Sequence, residues 1–202
     1  MQITKGKWWQ TVIRDLSKIL SITDGSAALN KENIDITEVL TSIKAEFLRF
    51  INLADLKIQI PDKKNILYSH KAYLYSILLN LVSNAIKYRS NESPQIKIEI
   101  DQTAQFTIIT ISDNGIGIDL IKHAGDLFKP YKRFNTELEG KGLGLFLVKS
   151  HVEALSGTIS IESEPGRGTT FTIVFPTHVK EAKGVNINAL SKGSTVKLPG
   201  IL

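Results

Sequence analysis

Four short stretches, QIKIEI (95–100), FTIITIS (106–112), GTISIES (157–163) and TTFTIVF (169–175), are dense in β-branched and apolar residues and are bounded by turn formers. Such runs predict strands. The first two are separated by DQTAQ, a hairpin-length link, and the last two by the turn EPGRG. LKIQI (56–60) alternates in the same way and ends at Pro61 and Asp62. Between these strands lie three helical patterns. Val39, Ile43, Phe47 and Ile51 mark one face of 36–54; Leu74, Ile77, Leu78, Leu81 and Ala85 mark one arc of 71–89; a third helix covers Gly144–Ser156. Strands come in adjacent pairs and helices do not strictly alternate with them. That order predicts an α+β chain, a two-layer α/β sandwich with a mixed sheet and three main helices on one face.

Two further segments flank this block. Residues 10–23 place Val12, Leu16, Ile19 and Thr23 at four- and three-residue spacing, as the end of an amphipathic helix would, and DGSAALNKEN (24–33) reads as a loop. Residues 179–202 show no periodicity and are expected to be a loose tail. The expected division is therefore 1–25 as helix end and linker, 26–178 as the folded domain, and 179–202 as tail.

Composition narrows the possibilities. With 202 residues the chain can bury one good core. Without cysteine it has neither disulfides nor thiolate metal sites. No apolar run approaches the roughly 18–20 residues that span a bilayer. The net charge of +5 comes from the ends: Lys5 and Lys7 give +2, and Lys180, Lys183, Lys192 and Lys197 against Glu181 give +3, so residues 10–178 are neutral. A nucleic-acid binder would carry its basic stripe on the folded surface, so no nucleic-acid partner is expected.

Three stretches carry chemistry. In KAYLYSILLNLVSNAIKYR, Asn80, Asn84 and Lys87 stand at i, i+4 and i+7, one line of the helix away from its buried arc. Asn is a poor mid-helix residue, since its amide competes for backbone hydrogen bonds. Two carboxamides above a lysine suit a hard cation bridging phosphates, although a solvated polar face reads equally well. DNGIGI (113–118) follows the most apolar strand. Asn-Gly is a strong hairpin signal, yet DLIKHAGDLFKP offers no returning strand, so Asp113 is expected to close a buried strand and accept a hydrogen bond from an exocyclic amine such as that of adenine. Gly115 and Gly117 would let the backbone approach a flat ring. Finally, GKGLGLFLV sets Gly140, Gly142 and Gly144 before a helix, whose exposed amides attract phosphate. It matches neither the dinucleotide fingerprint nor the phosphate loop of common nucleotide hydrolases.

Taken in order, these motifs resemble the nucleotide-binding domain of sensor histidine kinases, in the wider family shared with gyrase, Hsp90 and MutL. NLVSNAIKY resembles its N box, DNGIGI its G1 box, LFKPYKRF its F box, GKGLGL its G2 box and GRGTTF its last glycine motif. The resemblance spans residues 30 to 176 and implies a Bergerat-type fold that binds ATP and Mg2+. It implies that Asp113 recognises the adenine amine, with Gly115, Gly117 and Ile118 shaping its pocket. Asn84 would be the magnesium ligand, with Asn80 beside it and Lys87 and Tyr88 at phosphate and ribose. Residues 119–140 would form a lid with Phe128 and Phe134 as apolar pins and Lys132, Arg133 and Lys141 toward the phosphates. Gly140, Gly142, Leu143, Gly144 and Leu145 would wrap the triphosphate, and Thr169 and Thr170 would line the far side.

The resemblance further implies transfer of the γ-phosphoryl to a histidine on a dimerisation domain. None of the four histidines sits in the family's H-[ED]-L-x-[TN]-P stretch; KAYLY, AGDLF, VEALS and VKEAK follow them instead, and each is expected to be structural. The chain thus reads as a catalytic fragment of a longer kinase. Residues 10–23 would be the end of the dimerisation hairpin, the parent a homodimer, and a response-regulator receiver domain its partner. The domain would be cytoplasmic, its parent either membrane-anchored or soluble. A gyrase- or Hsp90-like ATPase would share the pocket but needs a water-activating acid where Asn80 stands. An anti-sigma-type serine kinase would lack the hairpin end. A degenerate module that binds no nucleotide fits poorly with complete glycine motifs.

Overall fold

The structure is a computed structural model that describes residues 30–91, 93–133, 141–177 and 195–196. The chain divides into two compact units, Met1–Asn30 and Lys31–Leu202. The amphipathic stretch 10–23 lies outside the described residues, as do Phe134 and Gly140.

In chain order the second unit runs β1 (Glu32–Asp35), α1 (Ile36–Glu46), α2 (Leu48–Leu53), β2 (Lys57–Gln59), β3 (Ile66–Ser69), α3 (Lys71–Lys87), β4 (Gln95–Gln102) and β5 (Phe106–Asp113). A short helix α4 (Leu120–His123) and a 3-10 turn (Ala124–Asp126) follow, then α5 (Gly144–Ala154), β6 (Thr158–Glu164), β7 (Gly168–Pro176) and β8 (Thr195–Val196). The main sheet is mixed, ordered β2-β4-β5-β7-β6-β8. β2 lies parallel to β4 and β8 parallel to β6, whereas β4-β5-β7-β6 are antiparallel. This is the expected two-layer α+β sandwich, and α1, α3 and α5 are its three main helices.

Registers place inward-facing side chains in rows across four strands. Ile98, Ile111, Phe171 and Ile161 form one row, and Ile100, Ile109, Ile173 and Ile159 the next. All but the partly buried Ile100 are buried beneath the helices, with Leu74, Ile77, Leu78 and Leu81 of α3 and Val148 and Val152 of α5 in the same core. Each such side chain contributes about 1.5–3 kcal/mol by leaving water, so these rows drive the fold. The alternate residues, Lys97, Glu99, Thr110, Ser112, Thr170, Thr172, Ser160 and Glu162, face away from the helices.

Three departures from the sequence reading have local causes. The helix expected over 36–54 breaks at Phe47, whose φ −98° and ψ 5° end α1 and begin α2. The break turns Ile51 into the core and leaves Leu48, Phe50 and Leu53 exposed. A two-stranded antiparallel sheet pairs β1 with β3, although Glu32 and Asn33 fall in the expected loop and 66–69 carried no strand signal. Its first strand hands directly to α1, where the Asp35 side chain caps the helix by accepting from Thr37 N–H at 3.0 Å. In the segment expected to be a loose tail, Thr195 and Val196 pair with Ser160 and Ile161.

Candidate functional site

Asp113 ends β5, and no returning strand follows it: β5 is flanked by β4 and β7. The hairpin alternative is therefore excluded, and the Asn-Gly turn serves another purpose. By register Asp113 stands opposite Ile96 and Thr169, so its side chain points to the helix-covered face. Burial pushes its carboxyl up to about 6, against the pull of the Gly115 and Thr169 amides, which favour the charged form. The Gly115 N–H donates to its Oδ1 at 2.8 Å.

The turn after Asp113 is tied on three sides. Asn114 accepts from Gln95 N–H at 2.8 Å and donates through Nδ2 to Ser93 O at 3.0 Å, which fixes it to the start of β4. Ile116 N–H donates to Tyr88 O at 2.9 Å, joining the turn to the C-terminus of α3. Ile118 N–H donates to Ser163 Oγ at 2.8 Å, and Gly166 N–H to Ile116 O, joining it to β6 and the turn beyond. Side chains are excluded here by backbone. A Cβ on Gly115 would meet Tyr88 O at 2.3 Å, and one on Gly117, whose φ is +67°, would meet Glu164 O at 2.0 Å.

Asn80 and Asn84 project from α3 toward the start of α5. A Cβ on Gly144 would lie 3.2 Å from Asn80 Oδ1 and 3.9 Å from the Asn84 amide atoms. Asn80 donates through Nδ2 to Ser76 O at 2.7 Å, which spends its N–H group on its own helix and leaves Oδ1 toward Gly144. One turn below Asn84, Tyr88 caps α3, its N–H bonded to Asn84 O at 2.9 Å. Lys87 Nζ donates to Tyr88 Oη at 3.0 Å and lies 4.7 Å from that ring's centre. Hydrogen bonds thus tie Asp113 to Gly115, the 113–118 turn to Tyr88, and Tyr88 to Asn84, and Gly144 lies beside Asn80 and Asn84.

The remaining predicted residues fall into two groups. Leu143 is buried and starts α5 with no side-chain cap, Leu145 packs on the core, and Gly142 (φ +69°) passes so close to Lys132 that a Cβ would meet its carbonyl at 2.4 Å. Phe128 is half-buried against the core with Lys149 Nζ 5.6 Å from its ring centre. Lys141 is half-buried and Arg133 exposed. Lys132 is bound to Asp126 at 2.9 Å; the hydrogen bonds of Lys129 and Lys132 hold the Asp126 carboxyl down at about 2. Thr170 differs from expectation. Its hydroxyl lies 3.0 Å from Ser112 Oγ on the sheet face opposite Asp113, and Thr169 takes the inward position.

Two of the four histidines have packing roles, and His178 lies outside the described residues. His70 caps α3, its Nδ1 accepting from Tyr73 N–H at 3.4 Å, and Tyr73 stacks on the buried His151 at 4.5 Å. These roles are structural, as expected. Sequence reasoning missed Ser163 and Asn114. The signal for Ser163 was present: in TISIES it occupies the inward alternation after Ile159 and Ile161.

Comparison with known proteins fits this geometry. Residues 70–179 match the family described as histidine kinase-, DNA gyrase B- and HSP90-like ATPase, and the chain belongs to that family. Its relatives include the phytochrome-like protein Cph1 of Synechocystis, 30% identical over 83% of this chain and 22% of that protein. The autoinducer 2 sensor kinase/phosphatase LuxQ of Vibrio parahaemolyticus is 26% identical over 87% of this chain and 22% of its own length. Histidine kinase AdeS of Acinetobacter baumannii superposes with a TM-score of 0.71 at 25% identity, over 85% of this chain and 80% of the AdeS chain. The catalytic domain of histidine kinase ThkA shares the fold (TM-score 0.63, 20% identity, 73% and 96% covered). The chain is an ATP-binding catalytic domain of the histidine kinase type, and it spans about a fifth of the length of the curated relatives Cph1 and LuxQ. Among the described residues, no helix is long and apolar enough to cross a membrane.

Proposed function

We propose that the domain binds Mg-ATP across Asp113, α3 and the start of α5, and presents its γ-phosphoryl to a histidine on the parent protein's dimerisation domain. In the transfer, the bond from phosphorus to the β-γ bridging oxygen breaks, a phosphorus–nitrogen bond forms, and ADP leaves. Asp113 accepts from the adenine amine, while Gly115, Gly117 and Ile118 give the ring a close-fitting wall. Asn84, with Asn80 beside it, supplies neutral oxygen ligands; this donor set suits Mg2+, which keeps waters and phosphate oxygens as its other ligands. When bound, the ion neutralises phosphate charge. Gly142, Leu143, Gly144 and Leu145 bring the amides of the α5 N-terminus to the phosphates, an arrangement that favours anions. Lys87 reaches them by leaving the Tyr88 hydroxyl; Tyr88 borders the ribose, and Arg133, Lys141 and Phe128 belong to the lid. Thr169 takes the wall position that the sequence divided between Thr169 and Thr170.

The observation that carries this reading is Gly144 against Asn80 and Asn84, in a site where α3 offers carboxamides and no carboxylate. Positioning and charge neutralisation suffice for phosphoryl transfer to a histidine. A gyrase-like hydrolase would need a base to activate water, and the Asn80 carboxamide, which is not basic near neutral pH, cannot serve. The domain would work in the cytoplasm as part of a homodimeric kinase, membrane-anchored or soluble, that phosphorylates a receiver domain. Titration calorimetry with Mg-ADP tests the site: Asp113→Ala is expected to weaken binding at least tenfold. Unchanged affinity would overturn the assignment, and steady-state hydrolysis at the pace of a dedicated ATPase would overturn the kinase reading.

A further inference from the structure

The last inward row of the sheet reads Ser163, Thr169, Asp113 and Ile96, where the two rows above it are wholly apolar. Ser163 is 8% exposed, at a position where alternation would otherwise place a third isoleucine. Burying a hydroxyl is costly unless it is bonded, and this one is bonded three times. Ser163 Oγ donates to Gly168 O at 2.8 Å and accepts from Ile118 N–H at 2.8 Å. Its third partner, Thr169 Oγ1, lies at 2.9 Å. A serine hydroxyl has one hydrogen, so with the Gly168 carbonyl as its acceptor the Thr169 hydroxyl must be the donor.

Those partners lie on both sides of Asp113. Ile118 closes the turn that leaves Asp113, and Gly168 and Thr169 open the strand paired with it. Gly168, at φ +99°, passes so near that a Cβ would stand 1.9 Å from Asp113 O, and the Thr169 amide bonds the Asp113 carboxyl. One hydroxyl therefore bonds to both backbone segments that aim the carboxylate.

We propose that Ser163 is a positioning residue for purine selection: its hydroxyl locks the 113–118 turn to Gly168 and Thr169 so that the Asp113 carboxylate meets the 6-amino group at a fixed angle. This rests on the reading of Asp113 as the purine acceptor. The experiment compares Kd, by calorimetry, for Mg-ATP and for the Mg complex of purine riboside triphosphate, which lacks the 6-amino group. The ratio of the two isolates the amine contact.

Ser163→Ala is expected to weaken ATP about tenfold while leaving the analogue unchanged, and Ser163→Thr, which keeps the hydroxyl, is expected to restore the ratio. Equal loss for both ligands would mean a merely structural serine and would overturn the proposal. Asp113→Ala separates the two claims. If it collapses the ratio while Ser163→Ala preserves it, only the role of Ser163 falls; if it leaves the ratio unchanged, the acceptor reading falls and this inference with it. Should Ser163→Ala fail to fold, Thr169→Val removes a single arm, and about a threefold fall in the ratio is expected, with no change overturning the proposal.

Discussion

The apolar rows in the middle of the sheet and the polar row at its end occupy the same face of the same four strands. In the middle rows each side chain gains from burial and asks for nothing but volume. In the end row Asp113 is pushed up to about 6 by desolvation, and Ser163 and Thr169 must each find partners. The middle holds the domain together; the end gives up some of that stability to keep a carboxylate aimed.

Several substitutions sharpen the contrast, beginning with the largest effect. Ile111→Ala, in a fully buried row, should cost about 3–4 kcal/mol in urea unfolding. A cost under about 1 kcal/mol would mean that the rows are not the core. Gly117→Ala adds a Cβ 2.0 Å from Glu164 O at positive φ, whereas Gly166→Ala at φ +77° meets nothing within 4 Å. The first should cost about 2–4 kcal/mol and the second about 1–2, since only the first adds overpacking to backbone strain. Equal costs would remove the case for a backbone wedge beside Asp113.

The next effect concerns pH. The carboxyl of Asp113 holds its proton to about pH 6 in the folded chain and releases it near 3.8 when unfolded. The folded state therefore binds more protons across that interval, and nucleotide-free stability should fall as pH rises from about 4 to about 6, by about 2 kcal/mol. Asp113→Asn should flatten that slope in thermal denaturation. Nucleotide affinity should run the opposite way, weakening as pH drops through about 6, because only the carboxylate is a pure acceptor. The smallest change is at the far end of α3: His70→Asp should raise stability by up to about 1 kcal/mol, aspartate being a stronger N-cap, without changing nucleotide affinity.

Much of this was readable in the sequence because the signals were long. Six or seven residues of β-branched and apolar pattern marked each central strand, and a helical period through the seventeen residues of α3 set Asn80 and Asn84 on one line. Short elements gave no such signal: β1 and β3 have four residues each and owe their pairing to each other. The break at Phe47 was hidden because Phe47 and Ile51 continue the apolar spacing through it. Thr170 was misplaced because a strand's two faces differ by a single residue, and only the register with β5 tells which threonine turns inward. Ser163 was overlooked because polarity at a strand end looks like solvent exposure until its partners are known.

The bond from Ile116 N–H to Tyr88 O has a mechanical consequence. It fastens the turn after Asp113 to the same helix that carries the carboxamides, a single coil away. In the proposed complex a tilt of that rod would carry both jaws together, so the gap between them would gauge the length of a nucleotide rather than adapt to it.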